Sequence, residues 1–279
     1  MSKRNSQSAK TAARERLRQE RERQAKRAKI RRQVIVACSV VAVLAAAGGI
    51  GYAVVQANKP SHWQAEMSAK VVAPANTSGP DGTTVVIGKS SAPALKEYED
   101  PRCPICAQFE QTVGSTVEQD IADGKFKLQY VGGTFIDGDS LGKGKLGTNG
   151  TGSKNALSAL GAALNVSPQA FLDYKSALYS KKWHPDETVD KFANDNYLIQ
   201  VADTVPALKN NAKFQNAVKN GTYDAWALAM SKTFDTNKDG VTGTPSFVMN
   251  GKMLTVGSQG NPPMTVAQFN QVLDAALKK

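Results

Sequence analysis

Between Val34 and Val55 the chain runs for 22 residues without a charged side chain, built from Val, Ile, Ala, Leu and Gly around single Cys38, Ser39 and Tyr52. A helix of that length rises about 33 Å at 1.5 Å per residue, enough to cross the hydrocarbon of a bilayer. One transmembrane helix over 34–55 is therefore predicted, splitting the chain into a tail, 1–33, and everything beyond. The split also locates the charge. The formal net charge is +11, yet residues 1–32 hold 13 of the 35 basic and 3 of the 24 acidic side chains, leaving 22 against 21 in the remainder. A basic flank before an apolar run predicts a cytoplasmic amino terminus and an extracytoplasmic body, a single-pass protein of the cell membrane. The Arg-rich tail lacks the interleaved aromatics of a nucleic-acid arm, and no nucleic-acid partner is expected. A cleaved signal peptide has an apolar stretch of only about 7 to 15 residues, so the segment reads as an uncleaved anchor. Cys38 opens the apolar run, where a lipoprotein acylation site would follow it, and reads as a small apolar filler.

From 56 to 82 the sequence is polar and punctuated by Pro60, Pro74, Gly79-Pro80 and Asp81-Gly82, the pattern of a spacer. The folded body is expected over 83–279.

Within it, short strands over 83–87 and 94–98 lead into Cys103-Pro104-Ile105-Cys106, and Phe109, Val113, Val117 and Ile121 then recur at helical spacing. The two cysteines thus stand at a strand-to-helix junction, with Pro104 suited to the first helical turn. There the Cys103 sulfur meets unpaired N–H groups and the positive end of the helix dipole, which favour thiolate. Cys106, three residues on, shares that helix face at a separation that suits a disulfide. One thiol attacks and the other resolves, the chemistry of dithiol exchange. With 3 Cys and 2 His in the chain, a four-ligand zinc site is hard to assemble. Haem attachment would need His where Ala107 stands. A structural bridge across so short a loop would add little stability.

The segment Glu97-Tyr98-Glu99-Asp100-Pro101-Arg102-Cys103-Pro104-Ile105-Cys106-Ala107-Gln108-Phe109-Glu110 resembles the active-site segment of the DsbA-like thiol:disulfide oxidoreductases of the thioredoxin superfamily. A second segment, Val241-Thr242-Gly243-Thr244-Pro245-Ser246-Phe247-Val248-Met249-Asn250-Gly251-Lys252, is similar to that family's cis-proline loop, strand and hairpin turn. Together they imply a thioredoxin-like α/β fold. They further imply that Cys103 and Cys106 are catalytic. Thr244 and Pro245, with Pro104 and Ile105, would meet an extended client by backbone pairing. Glu97, six residues before Cys103, falls where relatives carry a buried acid that assists proton transfer at the second cysteine. The alternative for Glu97 is an ordinary strand carboxylate facing solvent. No cofactor or metal is implied.

Cys106 and Pro245 are 139 positions apart, which leaves room for an inserted helical domain, about 154–232. Leu157, Leu160 and Leu164 mark one helix, Phe171, Leu172 and Leu178 a second after Ser167-Pro168, and Val189, Phe192 and Leu198 a third. A last helix starts from the capping box Thr265 and Gln268 and carries Phe269, Val272, Leu273 and Leu277. Two motifs mislead. Gly142-Lys143-Gly144-Lys145-Leu146-Gly147 matches a dinucleotide fingerprint, but Thr148-Asn149-Gly150 continues a loop where a helix should open, so it reads as a mobile connection. Asp235 to Gly240 copies half a calcium loop, but its twelfth position is Ser246 where a bidentate Glu is required.

The expected function is a membrane-tethered oxidoreductase that forms disulfides in reduced exported proteins and is regenerated by a membrane or extracytoplasmic redox partner. Ile105 has no side-chain donor or charge to offer the thiolate, which predicts a Cys103 pKa in the middle of the roughly 3.5 to 7.5 range of activated cysteines. Two other readings use the same residues: a thiol reductase, as in cytochrome maturation, and a non-catalytic tethered chaperone.

Overall fold

The computed structural model describes residues 10–12, 14–24, 26, 27, 29, 31 and 61–278. The transmembrane helix expected over 34–55, with Cys38, lies outside the described residues. Among those described, no helix is long and apolar enough to cross a membrane. The chain divides into two compact units, Met1–Pro60 and Ser61–Lys279. In the first, residues 14–24 are helical and exposed, with Arg18 and Glu22 paired at 3.6 Å one turn apart.

The second unit is built on a six-stranded sheet in the order β1-β2-β4-β3-β5-β6. Its strands are β1 (Thr77–Ser78), β2 (Thr84–Ile87), β3 (Ala94–Glu99), β4 (Lys127–Gly132), β5 (Ser246–Met249) and β6 (Lys252–Met253). Central β3 runs parallel to β4, with Glu97 opposite Tyr130, and antiparallel to β5, with Glu97 opposite Phe247. Leu95, Glu97 and Glu99 alternate along one face of β3 and are all without solvent contact, while on the other face Tyr98 is buried and Ala94 and Lys96 are half-buried. The crossover from β3 to β4 is made by α2 (Pro104–Phe109), a single π turn over Glu110–Gly114 and α3 (Ser115–Asp123). The β5–β6 hairpin turns on Asn250 and Gly251, both at positive φ (52° and 71°), the backbone that Asn-Gly adopts readily.

Between β4 and β5 stand five helices: α4 (Gly152–Val166), α5 (Pro168–Tyr179), α6 (Asp195–Ala202), α7 (Ala212–Lys219) and α8 (Asp224–Asp235). Ala-rich α4 is buried nearly all round, with Leu157, Leu160 and Leu164 in the core and Lys154 of its first turn paired with buried Asp137 and Asp139. Gly161 admits the Trp226 ring of α8: a Cβ there would lie 2.8 Å from ring carbons. Ser167 caps α5 by accepting from the Ala170 N–H at 3.0 Å. The third expected helix differs. Val189 is exposed in a turn and Phe192 lies in a short 3-10 segment. The helix starts only at Asp195, where the Asn194 carboxamide accepts from the N–H groups of Asn196 and Tyr197.

Helix α9 (Val266–Leu277) closes the unit. Thr265 accepts from the Gln268 N–H, and Gln268 reaches back to the N–H of Met264. Phe269 meets Phe109, Phe126 and Phe247 at 6.0, 6.4 and 6.0 Å between centroids, binding α2, β5 and α9 into one core.

Residues 61–82, read above as spacer, are held against this unit. Helix α1 (His62–Glu66) buries Trp63, and His62 Nε2 lies 2.6 Å from Asp224 Oδ2 on α8. Asn76 donates to the Leu164 carbonyl, β1 pairs with β2, and Trp226 Nε1 donates to the Gly82 carbonyl at 2.8 Å. The glycine-rich connection is also pinned: the Gly147 N–H donates to Asp139 and the Asn149 N–H to the Asp137 carbonyl. In the calcium-like loop, Asp239 accepts from Lys96 Nζ and Tyr98 Oη at 2.7 and 2.5 Å, so its carboxylate is already engaged.

Candidate active site

Where β3 ends, Asp100 to Arg102 turn the chain into α2, and Cys103 takes the N-cap position with extended φ,ψ of −69° and 119°. Pro104 follows as the first helical residue, its missing N–H no loss there. The Cys103 sulfur accepts from the Cys106 N–H at 3.4 Å, the bond an N-cap side chain makes. On its other side it lies 3.7 Å from the carbonyl oxygen of Thr244, whose bond to Pro245 is cis. Both thiols are free. Cys103 is 5% exposed and Cys106 fully buried, so of the two only Cys103 meets solvent. Pro104 and Ile105 project outward beside it, Ile105 at 46% exposure. Thr244 is half-buried and Pro245 buried.

The environment separates the two thiols. Cys103 is lowered to about 6, chiefly by the Cys106 side chain as hydrogen-bond partner, with help from Thr244 and the N–H groups of Cys106 and Ile105, and against burial. Burial pushes Cys106 well above the usual thiol range, and the neighbouring Cys103 and the negative field of Glu99 add to it. At neutral pH the arrangement holds one thiolate and one thiol, the accessible sulfur being the thiolate.

Behind the pair lies a buried ionic cluster. Lys175 on α5 places Nζ 2.9 Å from Glu97, 3.2 Å from Glu99 and 2.8 Å from Glu110. Burial lifts Glu97 to about 7 and Glu99 well above the usual carboxylate range, although Lys175 opposes both. Glu97 is therefore not the solvent-facing strand carboxylate of the bland reading. Yet the carboxylate whose field Cys106 feels is that of Glu99, which sequence reasoning did not single out. The three carboxylates lie close enough together to hold a cation, but the Lys175 ammonium already occupies their centre and supplies that charge.

A second buried network anchors the motif from the front. Arg102, 4% exposed, donates to Asp137 Oδ1 at 2.6 Å and to the carbonyls of Asn149 and Glu187. Asp100 accepts from Ser153 Oγ and from the N–H groups of Arg102 and Ile136, while burial lifts it to about 7. Tyr179 packs on both cysteines and donates to the Asp100 carbonyl. Sequence reasoning missed Lys175, Arg102, Asp137 and Tyr179.

A helix-capping thiol, a buried partner thiol and a carbonyl-bearing loop on an α/β sheet define the class: a thiol:disulfide oxidoreductase of thioredoxin-like fold. The comparisons agree. Residues 80–275 match the family described as thioredoxin, and the chain belongs to that family. It is 26% identical over 172 residues to disulfide bond formation protein D of Bacillus subtilis (strain 168), covering 61% of this chain and 68% of that one. It is 27% identical over 178 residues to the serine/threonine-protein kinase PknE of Mycobacterium tuberculosis (strain H37Rv), where the match takes in 61% of this chain and 29% of the kinase. The reduced disulfide bond oxidoreductase DsbG of Mycobacterium tuberculosis shares the fold with a TM-score of 0.53 and 22% identity, covering 72% of this chain and 95% of that one.

Proposed function

We propose that the protein is a membrane-tethered, extracytoplasmic oxidant of exported proteins, with Cys103 as the exchanging sulfur and Cys106 as its internal partner. In the oxidised form a client thiolate attacks Cys103, the internal disulfide breaks, and Cys106 leaves with the electron pair and takes up a proton. A second client thiolate then attacks the client sulfur of the mixed disulfide and Cys103 leaves as thiolate. The client is oxidised by two electrons and the protein is left as the dithiol. The observation that carries this reading is the acidic Cys103 thiol at the start of α2, since a stabilised thiolate is a good leaving group and favours the reduced protein, the signature of an oxidant. Glu97, raised to about 7, and Glu99, raised well above the usual carboxylate range, are suited to furnish the proton that Cys106 takes up. Thr244 and Pro245, with Pro104 and Ile105, offer backbone and apolar contact to an extended client. The tether rests on the uncharged run 34–55 and the basic residues before it.

Refolding of reduced, unfolded ribonuclease tests the proposal. The oxidised wild-type protein is expected to restore nuclease activity and Cys103→Ser to restore none. Equal activity of the two would leave only the chaperone reading.

A further inference from the structure

A groove of about 630 Å³ opens beside the cysteine pair, from Pro104 across Arg102, Ile136 and Asn149 to the turn Asp186-Glu187-Thr188 of the helical insertion. Its far wall presents two consecutive exposed carboxylates, Asp186 and Glu187. This turn is a built feature. Asp186 accepts from the N–H and hydroxyl of Thr188 at 3.0 and 2.7 Å, which lowers its pKa and keeps it ionised. The Glu187 carbonyl is clamped at 2.8 Å by Arg102, the residue next to Cys103. Arg102 is the one cation among the described lining residues, and it is already matched by Asp137 at 2.6 Å and Asp190 at 3.4 Å. A client chain in this groove therefore meets negative charge that no lining residue compensates, next to Arg102 and Pro104, the residues that flank Cys103.

We propose that this groove is a specificity subsite for cationic client side chains, so that cysteines flanked by Lys or Arg are oxidised in preference to cysteines flanked by acids. The inference rests on the oxidoreductase reading and names its substrate class. Charge complementarity at an accessible rim acts mainly by steering encounter and is screened by salt.

The test uses the full-length oxidised protein and two peptides, each with one pair of cysteines, identical except for Lys or Glu beside each cysteine. Single-turnover transfer is followed by the appearance of the protein's dithiol. A neutral small disulfide, hydroxyethyl disulfide, supplies the reference ratio, because lysine also acidifies a neighbouring thiol. Relative to that reference, the Lys peptide is expected to react roughly three- to tenfold faster, two exposed pairs each contributing modestly. The ratio is expected to fall towards the reference in the double variant Asp186→Asn, Glu187→Gln and at high salt. Asn at 186 keeps the acceptor that holds the turn, so loss of fold is not the cause. A wild-type ratio equal to the reference, or an excess that survives in the variant, overturns the subsite while leaving the oxidoreductase reading intact. No transfer to either peptide overturns both.

Discussion

The carbonyl oxygen of Thr244 lies 3.7 Å from the sulfur of Cys103, 141 positions earlier in the chain. The contact joins the two halves of the fold across the inserted helices, since Thr244 leads into β5 and Cys103 follows β3, and these strands are neighbours. Under the proposed function, a client strand pairing with the backbone before Pro245 would be laid along the Cys103 sulfur.

Among the described residues, Lys175 is the one cation paired with the three buried carboxylates Glu97, Glu99 and Glu110. Removing one partner of a buried ionic group leaves uncompensated charge and costs roughly 3–5 kcal/mol. Lys175→Met is therefore expected to lose about that much in urea unfolding at neutral pH, with part of it recovered by adding Glu97→Gln and Glu110→Gln. A loss below about 1 kcal/mol would show that the cluster is solvated.

Glu99 raises Cys106 by its field, after burial and Cys103. Glu99→Gln should then lower the Cys106 pKa, and Glu97→Gln should lower it less. NMR titration of Cys106 in a Cys103→Ser background checks this. The reverse order would make Glu97, rather than Glu99, the carboxylate that acts more strongly on Cys106.

Gly161 poses a contest between two magnitudes. Replacing a mid-helix glycine by alanine gains about 1 kcal/mol of helix propensity. Against it stands the new Cβ 2.8 Å from the fully buried Trp226 ring, and overpacking costs about 1–3 kcal/mol. Gly161→Ala is expected to be net destabilising by denaturant unfolding; a more stable variant would mean that α4 and α8 adjust freely.

The raised carboxylates make stability depend on pH. Glu97 and Asp100 hold protons up to about 7, whereas their unperturbed values are 4.5 and 3.8, and Glu99 is raised as well. Between those limits the folded chain binds more protons than the unfolded one, so this contribution is full at low pH and is lost as pH rises through 7. His184, held down to about 4 by burial, works oppositely up to 6.5, one group against four among the described residues, since burial raises Glu118 too. With Cys103→Ser and Cys106→Ser removing thiol titration, the urea midpoint is expected to be higher at pH 5 than at pH 7. A higher midpoint at pH 7 would refute the raised carboxylates.

The candidate site was legible in the sequence where it lies in contiguous motifs. The cysteine pair, Pro104 and the Thr244-Pro245 segment are adjacent letters with fixed spacing, and strand-to-helix periodicity alone puts Cys103 at a helix start. Lys175 was hidden because it is 65 to 78 positions from its carboxylates. Its one signal was position: it stands four residues after Phe171 and three before Leu178, a charge on an apolar stripe that must find a buried partner. Arg102 escaped notice because its partners come from a glycine-rich loop and an irregular turn, neither of which has a period. Residues 61–82 read as spacer because docking there depends on isolated contacts such as Trp63 and the His62–Asp224 pair, which leave no repeating pattern.

The proposed exchange depends on the acidity of one thiol. Ultraviolet thiolate absorbance of the reduced protein, followed against pH with Cys103→Ser as the blank, measures it directly. A Cys103 pKa of about 6 is expected; a value above about 8, that of an unperturbed cysteine, would contradict the account.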